Sequence, residues 1–206
     1  MKKLFVITLS FLMIACSEES TELDETSKNT VDDFNPVYLA ENGITIKAKD
    51  LAEIGAKGMV NGVEYTIVDN DMFRDMLDTD DGGIVKDVTT VCTSRITDMN
   101  YNDEVEDGSI FPYDFNQDIS TWDVSNVTNM GQMFHRTYIF NQDLSAWDVS
   151  NVTKMRMMFG SAQNFNQDLS AWDVSNVTDM TLMFLHTQNF NQDLSAWDVS
   201  NVTSMV

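Results

Sequence analysis

The sequence predicts an α/β solenoid in which each 25-residue coil contributes one short strand and one short helix, preceded by a small α+β cap. Three observations carry that expectation. "FNQDLSAWDVSNVT" stands at residues 140–153, 165–178 and 190–203, and "FNQDISTWDVSNVT" at 115–128 differs only at Ile119 and Thr121. Apolar letters fall at the same places in every copy, as a stacked repeat requires. A non-repeating stretch, 37–90, comes first and carries both strand and helix patterns.

One copy serves for all. Its apolar positions are Phe165, Leu169, Trp172, Val174, Val177, Met180, Met183 and Phe184. Leu-x-x-Trp-x-Val has the spacing of a leucine-rich-repeat core, and a period of 25 lies in that class's range. Trp172 and Val174 are expected to point inward from a short strand, with Asp173 outward. Thr178 then caps a helical turn that presents Met180, Met183 and Phe184 at i, i+3 and i+4. A mostly-β solenoid, with no helix in the coil, is the alternative. No coil closes its own core, so stability accrues between neighbours, Trp on Trp and Phe on Phe.

"SRITDM" at 94–99 matches "SNVTNM" at 125–130, thirty-one positions on, which starts the solenoid near Val91 and puts a six-residue insertion within "NDEVEDGSI". The array is assigned to 91–206. It is expected to continue past Val206, because "NVTSM" elsewhere leads into a Met-Phe turn and an open coil would expose an apolar edge.

In the cap, 37–90, "VYLAENGITIKA" reads as two short strands around Glu41-Asn42-Gly43. "GVEYTIVDN" alternates at Val63, Tyr65 and Ile67 like a half-buried strand. "DNDMFRDMLD" opens with helix-capping residues and puts Met72, Phe73, Met76 and Leu77 on one face. "DTDDGG" at 78–83 ends that helix. Asp78, Asp80 and Gly83 match part of a calcium loop, but Thr89 stands where a Glu is needed, so the segment reads as a polar turn.

"MKKLFVITLSFLMIAC" has a positive start, a twelve-residue apolar run and a small residue before Cys16. That is the grammar of a signal peptide, 1–15, and the run is too short to span a bilayer. Met13-Ile14-Ala15-Cys16 resembles a bacterial lipobox. The resemblance implies cleavage before Cys16 and diacylation of its thiol, making the membrane a partner through a stable lipid anchor. Residues 16–36 are acidic and polar, as a disordered tether is. Glu18-Glu19 resembles the surface-export signal of gram-negative lipoproteins, which implies the outer face of the outer membrane. Cys92 then has no disulfide partner and reads as a small buried hydrophobe.

The chain holds 33 acidic and 12 basic residues, a net charge of -21, and loss of Lys2 and Lys3 with the signal takes this to -23. Nucleic acid is excluded as a partner, because phosphate binding needs clustered Lys and Arg. Electrostatic adsorption to anionic lipid is excluded for the same reason. There is no G-x-S-x-G, P-loop, C-x-x-C or H-E-x-x-H, so no enzyme and no catalytic residue is expected. His135 and His186 do not recur at one offset and form no metal column.

Two aspartate columns remain: Asp118, Asp143, Asp168 and Asp193, and Asp123, Asp148, Asp173 and Asp198. Carboxylates at an inter-strand spacing of about 4.8 Å repel. Solvation with hydrogen bonds from Ser, Asn and backbone N–H groups would offset this; so would Ca²⁺ bridging between coils, the one cofactor the sequence leaves open. Asn126, Asn151, Asn176 and Asn201 stand in "NVT" sequons and are expected as turn and ladder residues.

Between the constant stretches the copies diverge: "NMGQMFHRTYI", "KMRMMFGSAQN", "DMTLMFLHTQN". Gln132, His135, Arg136, Tyr138, Lys154, Arg156, Leu182, Leu185 and His186 are expected to be exposed there and to contact an irregular ligand. A periodic ligand would use the constant strand face instead.

"WDVSNVTxM", "MF" and "FNQD" at this period resemble the BspA-type leucine-rich-repeat surface protein family, and "VCTSRITDM" resembles the usual opening of such an array. The resemblance covers 90–206. It implies a bacterial cell-surface protein, some members being adhesins that bind host proteins or other cells, and it carries no catalytic residue. The expected function is therefore adhesion or protein–protein binding by a surface lipoprotein. The alternatives are a glycan- or nutrient-capturing surface lipoprotein and a spacer that presents a further C-terminal domain.

Overall fold

A computed structural model of the chain describes residues 34–77, 86–101 and 108–205. The signal sequence, Cys16, most of the tether, the 78–83 turn and residues 102–107 of the insertion lie outside the described residues.

The cap is built from short sheets. Val37–Leu39 (β1) and Ile46–Ala48 (β2) pair antiparallel, Val37 opposite Ala48. Their turn forms because Asn42 Oδ1 accepts the N–H groups of Ile44 and Thr45, each at 3.0 Å, and Gly43 supplies a left-handed φ of 72°. Lys57–Val60 (β3) and Val63–Ile67 (β4) form a second hairpin. Asn61 and Gly62, at φ 51° and 82°, make its two-residue turn. Asn70–Leu77 (α1) follows, with Asp69 Oδ1 accepting the Met72 N–H at 2.9 Å as its N-cap. Val91–Cys92 (β5) then joins β4 in parallel. Cys92 is buried among Val37, Ile46, Val60, Tyr65 and Ile67. Its Sγ lies 3.6 Å from the Ile46 carbonyl, and burial pushes the thiol's pKa up.

The expected α/β solenoid is not what the repeats form. Among the described residues the one α-helix is α1, in the cap, and beyond β5, which opens the array at Val91–Cys92, the repeats contain neither helix nor strand. The mostly-β alternative fares no better, since backbone pairing in the repeats is reduced to single parallel bridges joining Asp98, Asn129, Lys154, Asp179 and Ser204.

Hydrogen bonding explains the difference. A helix commits each N–H to the carbonyl four residues back. Here the N–H groups of Met130, Gln132, Phe134 and Arg136 donate to Lys154, Arg156, Met158 and Gly160 of the next repeat. Those of Met133, His135 and Thr137 turn back to Met130, Gln132 and Phe134. The following repeat does the same: Met155, Met157, Phe159 and Ser161 donate forward, and Met158, Gly160 and Ala162 turn back. This path needs two left-handed residues per repeat, Gln132 and Arg136, Met157 and Ser161, Leu182 and His186, with φ between 50° and 60°. Linked turns of this kind also bring i, i+3 and i+4 to one side, so Met130, Met133 and Phe134 are buried as a helix would have buried them.

The expected strand is likewise replaced by turns. Trp172 N–H donates to Leu169 and Val177 N–H to Val174, while Trp172 and Val174 are buried and Asp173 is exposed. Thr178 caps no helix: its N–H and Oγ1 both donate to the Thr153 carbonyl, at 2.9 and 3.1 Å.

Side-chain columns hold the repeats together. Phe115, Phe140, Phe165 and Phe190 stack at 5.9, 5.9 and 6.0 Å. Phe134, Phe159 and Phe184 stack at 5.5 and 5.7 Å. Trp122 stacks on Trp147 at 6.3 Å and Trp172 on Trp197 at 6.5 Å. Each aromatic removes roughly 150–250 Å² from water, worth about 4–6 kcal/mol before ordering costs. Each indole N–H also reaches a carbonyl of the preceding unit, as Trp172 Nε1 does at Leu144, 3.0 Å away.

The cap closes the first repeat. Phe73 meets Trp122 edge-on at 5.3 Å, Trp122 Nε1 donates to Val88, and Gln117 Oε1 accepts the Val88 N–H. Residues 94–99 stand as a preceding repeat, with Asn126 Nδ2 donating to Ser94 and Thr128 N–H to Thr97. Phe111, 5.5 Å from Phe134 and 3.9 Å from Phe115, supplies the ring that the missing Met-Phe pair would have provided.

Candidate interaction surface

Two of the residues expected to be exposed are not. Gln132 is 2% exposed and His135 3%. Gln132 takes the first left-handed corner of its repeat, a position also buried at Met157, and His135 Nδ1 lies 3.1 Å from the Gly108 carbonyl of the insertion. Arg156 and Leu182 are half-buried. Arg136, Tyr138, Lys154, Leu185 and His186 are exposed. Lys154 stands apart from the others in the bridged column, between Asn129 and Asp179.

Arg136, Tyr138 and His186 fall on a ridge with two positions per repeat, on which Ser161 is half-buried. The ridge's first position is the second left-handed corner, occupied by Arg136, Ser161 and His186. Forward hydrogen bonds fix the first two of these: Arg136 N–H donates to Gly160 and Ser161 N–H to Leu185. Two residues further on come Tyr138, Gln163 and Gln188, all exposed.

Tyr113 belongs to the same column. Tyr138 N–H donates to the Tyr113 carbonyl at 2.8 Å, Asn164 N–H to Tyr138 at 3.1 Å, and Asn189 N–H to Gln163 at 3.2 Å. The two tyrosine rings are 6.4 Å apart and tilted by 36°. Tyr113 is 67% exposed and Tyr138 39%. Comparison between copies misses Tyr113, because it precedes the first constant stretch; its offset of one period from Tyr138 is the signal that finds it.

All eight column aspartates are engaged locally. Each Oδ1 accepts the backbone N–H of the serine two residues on: Ser120, Ser145, Ser170 and Ser195 in one column, Ser125, Ser150, Ser175 and Ser200 in the other, at 2.8–3.2 Å. Those serine hydrogen bonds hold Asp168, Asp173, Asp193 and Asp198 below the usual carboxylate range. Asp193 pushes Asp168 the other way, and Asp198 does so to Asp173, as smaller effects. Among the described residues no three His, Cys, Asp or Glu side chains gather into a group that could hold a metal ion.

Asp123 alone in its column is buried, 4% exposed. Ser94 Oγ donates to its Oδ2 at 2.5 Å, Ser125 N–H and Oγ to its Oδ1, and Lys47 Nζ lies 3.5 Å away. It thereby ties β2 to the first full repeat.

The remaining constant polar letters are also spent on cohesion. Asn151, Asn176 and Asn201 donate Nδ2 to the carbonyls of Ser125, Ser150 and Ser175. Gln142, Gln167 and Gln192 donate to Asn116, Asn141 and Asn166. The sequon asparagines are therefore ladder residues, and the constant face is largely occupied with joining its own copies.

At the last described repeat, Leu182, Leu185, Leu194, Trp197, Val199 and Met205 line an apolar hollow. Among the described residues no helix is long and apolar enough to cross a membrane. Residues 109–206, the stretch that begins after the cap, match the family described as Mycoplasma protein of unknown function, DUF285. No curated protein and no solved structure matches the chain.

Proposed function

We propose that the protein is a lipid-anchored cell-surface adhesion protein that binds a partner macromolecule through the ridge and performs no catalysis. One observation carries this reading. The constant letters of the repeat are committed to the core, to inter-repeat hydrogen bonds or to local aspartate–serine turns, whereas the ridge changes along the array: its corner holds Arg136, Ser161 and His186, and its second position Tyr138, Gln163 and Gln188. A rigid stack thus holds dissimilar side chains at a fixed pitch. Tyr and Arg are the side chains that dominate binding energy at interfaces. The lipobox at Cys16 supports a place at the cell surface, and the likeness to the BspA-type repeats supports adhesion.

The test is adhesion of the purified mature chain to cells and immobilised matrix proteins. Arg136→Ala and Tyr138→Ala are expected to weaken saturable binding at least tenfold each, about 1.4 kcal/mol or more. Binding unchanged in both variants would sink the reading. Anchoring is tested separately: acyl-chain labelling should disappear in Cys16→Ser, and label retained there would remove the anchor.

A further inference from the structure

We infer that Tyr113 and Tyr138 form a stacking platform for two consecutive sugar rings of a neutral glycan. The inference rests on the ridge being the binding surface and names the chemistry it takes.

The platform is fixed by the backbone. The Tyr138 N–H to Tyr113 carbonyl bond, at 2.8 Å, sets the two residues side by side at the repeat pitch, and the rings end 6.4 Å apart. The phenylalanine columns use nearly the same pitch, 5.5–6.0 Å, to pack rings away from water. The tyrosine pair carries a similar pitch to the outside, but tilted rather than stacked face to face, and with both residues exposed two aromatic side chains lie within reach of a linear, repeating ligand. Their 36° tilt makes a twisted platform, suited to a chain that turns between residues.

The surroundings select the occupant. An aromatic face is electron-rich, and one face of a pyranose ring presents C–H groups while its rim carries hydroxyls. The rim needs hydrogen-bonding partners beside the rings. Gln163 and Gln188 continue the column, and Asp114, Asn164 and Asn189 flank it, with Ile139 the one exposed aliphatic among those neighbours. A protein hot spot would instead be ringed by contacts that exclude water, and this rim is wettable.

Charge narrows the choice further. Residues 109–206 carry ten acidic and three basic side chains; Arg136 stands on the ridge itself and Asp114 beside Tyr113, so the local charges offset each other while the array as a whole repels sulfated, uronic or sialylated chains. A neutral glycan is the sugar polymer that this field admits.

The experiment is calorimetric titration of the mature chain carrying Cys16→Ser, at physiological salt. The probes are a β-1,3-glucan hexaose, a β-1,4-linked N-acetylglucosamine hexamer and a heparin fragment. At least one neutral hexamer is expected to bind, at least tenfold more weakly to Tyr113→Ala and to Tyr138→Ala, and near wild type to Tyr113→Phe and Tyr138→Phe. Unchanged thermal melting of the exposed-site variants establishes that they fold. No binding of either neutral hexamer, equal binding by the double alanine variant, or tighter binding of heparin overturns the platform. The adhesion assay separates the two ideas: adhesion lost in Arg136→Ala with no glycan bound leaves the ridge standing and removes the platform. Glycan bound at the tyrosines with adhesion indifferent to every ridge variant removes the adhesive role and keeps the platform.

Discussion

The cap and the repeats meet the same backbone problem, left-handed turns, with different residues. In the cap, Gly43, Gly55 and Gly62 take positive φ, with Asn61 beside them. In the repeats the left-handed positions hold Gln132, Arg136, Met157, Ser161, Leu182 and His186, and no glycine. A glycine turn is cheap wherever it stands. A side chain in that region costs about 1–3 kcal/mol and persists only where neighbours over-determine it. In the repeats those neighbours are the adjacent copies, whose carbonyls accept forward hydrogen bonds from the corners at Gln132, Arg136, Met157 and Ser161. The difference teaches that stacking, rather than local sequence, dictates the array's backbone. The first corner of each repeat, Gln132, Met157 and Leu182, is buried or half-buried, whereas the second carries the side chains of Arg136 and His186 outward.

The sharpest way to break that comparison is to cut the stack. Trp172→Ala removes a buried ring that stacks on Trp197 and bonds Leu144, and a loss of about 3–5 kcal/mol is expected. Because repeats contact only their neighbours, the loss should be local. Limited proteolysis should release fragments from 165–205 while 34–101 survives. If the cap is digested at the same rate, the two regions are one cooperative unit and the contrast is wrong.

Asp123→Ala should come next, at about 2–3 kcal/mol, because it strands Ser94 and Ser125 and leaves Lys47 without its carboxylate. Asp148→Ala, the same letter in an exposed copy, should cost only about 0.5–1.5 kcal/mol through its Ser150 bonds. Thermal melts of the pair would decide. Equal losses would mean that Asp123 does not anchor β2 and that the column is uniform.

These examples also mark how far the sequence could be read. Period, register and the inward letters were legible, because Trp172, Val174, Met180 and Met183 must face the core on any path that stacks the copies. The path itself was not. A chain of alternating turns and forward bonds produces the same i, i+3, i+4 signature as a helix, and hydrophobic spacing cannot tell them apart. Gln132 and His135 were misplaced for a related reason. Polar letters in a variable stretch look exposed until an insertion 27 residues away, at Gly108, is found against His135. Phe111 and Tyr113 lie just before the first constant stretch, where no copy aligned with them.

Acid should act on the array more than on the cap. The carboxyls of Asp168, Asp173, Asp193 and Asp198 are held low by serine hydrogen bonds. A depressed folded pKa contributes stability that is present above the unfolded value, about 3.9, and is lost as pH falls through the folded one. Melting temperature should therefore fall below about pH 4. High salt should be used to screen the relief of the chain's net repulsion, which runs the other way. Ser175→Ala should flatten the acid slope. A slope unchanged there would mean that the Asp173–Ser175 turn is not its source.

The smallest expected effect bears most directly on the opening contrast. Ser161 sits at φ 59°, clamped by its bond to Leu185 and by that of Arg136 to Gly160 next to it. Ser161→Gly relieves about 1–2 kcal/mol of left-handed strain and adds about 0.5–1 kcal/mol of unfolded-state entropy. A net gain of up to about 1.5 kcal/mol should appear as a slightly higher melting temperature. Gly62→Ala, in the cap, should move in the opposite direction at φ 82°. Opposite signs would mean that the repeats carry corner strain which the cap avoids, and that what the array keeps in return is a side chain at every corner. A loss of stability in both variants would mean the corner residue is chosen for packing, and the ridge would then be a by-product of the fold.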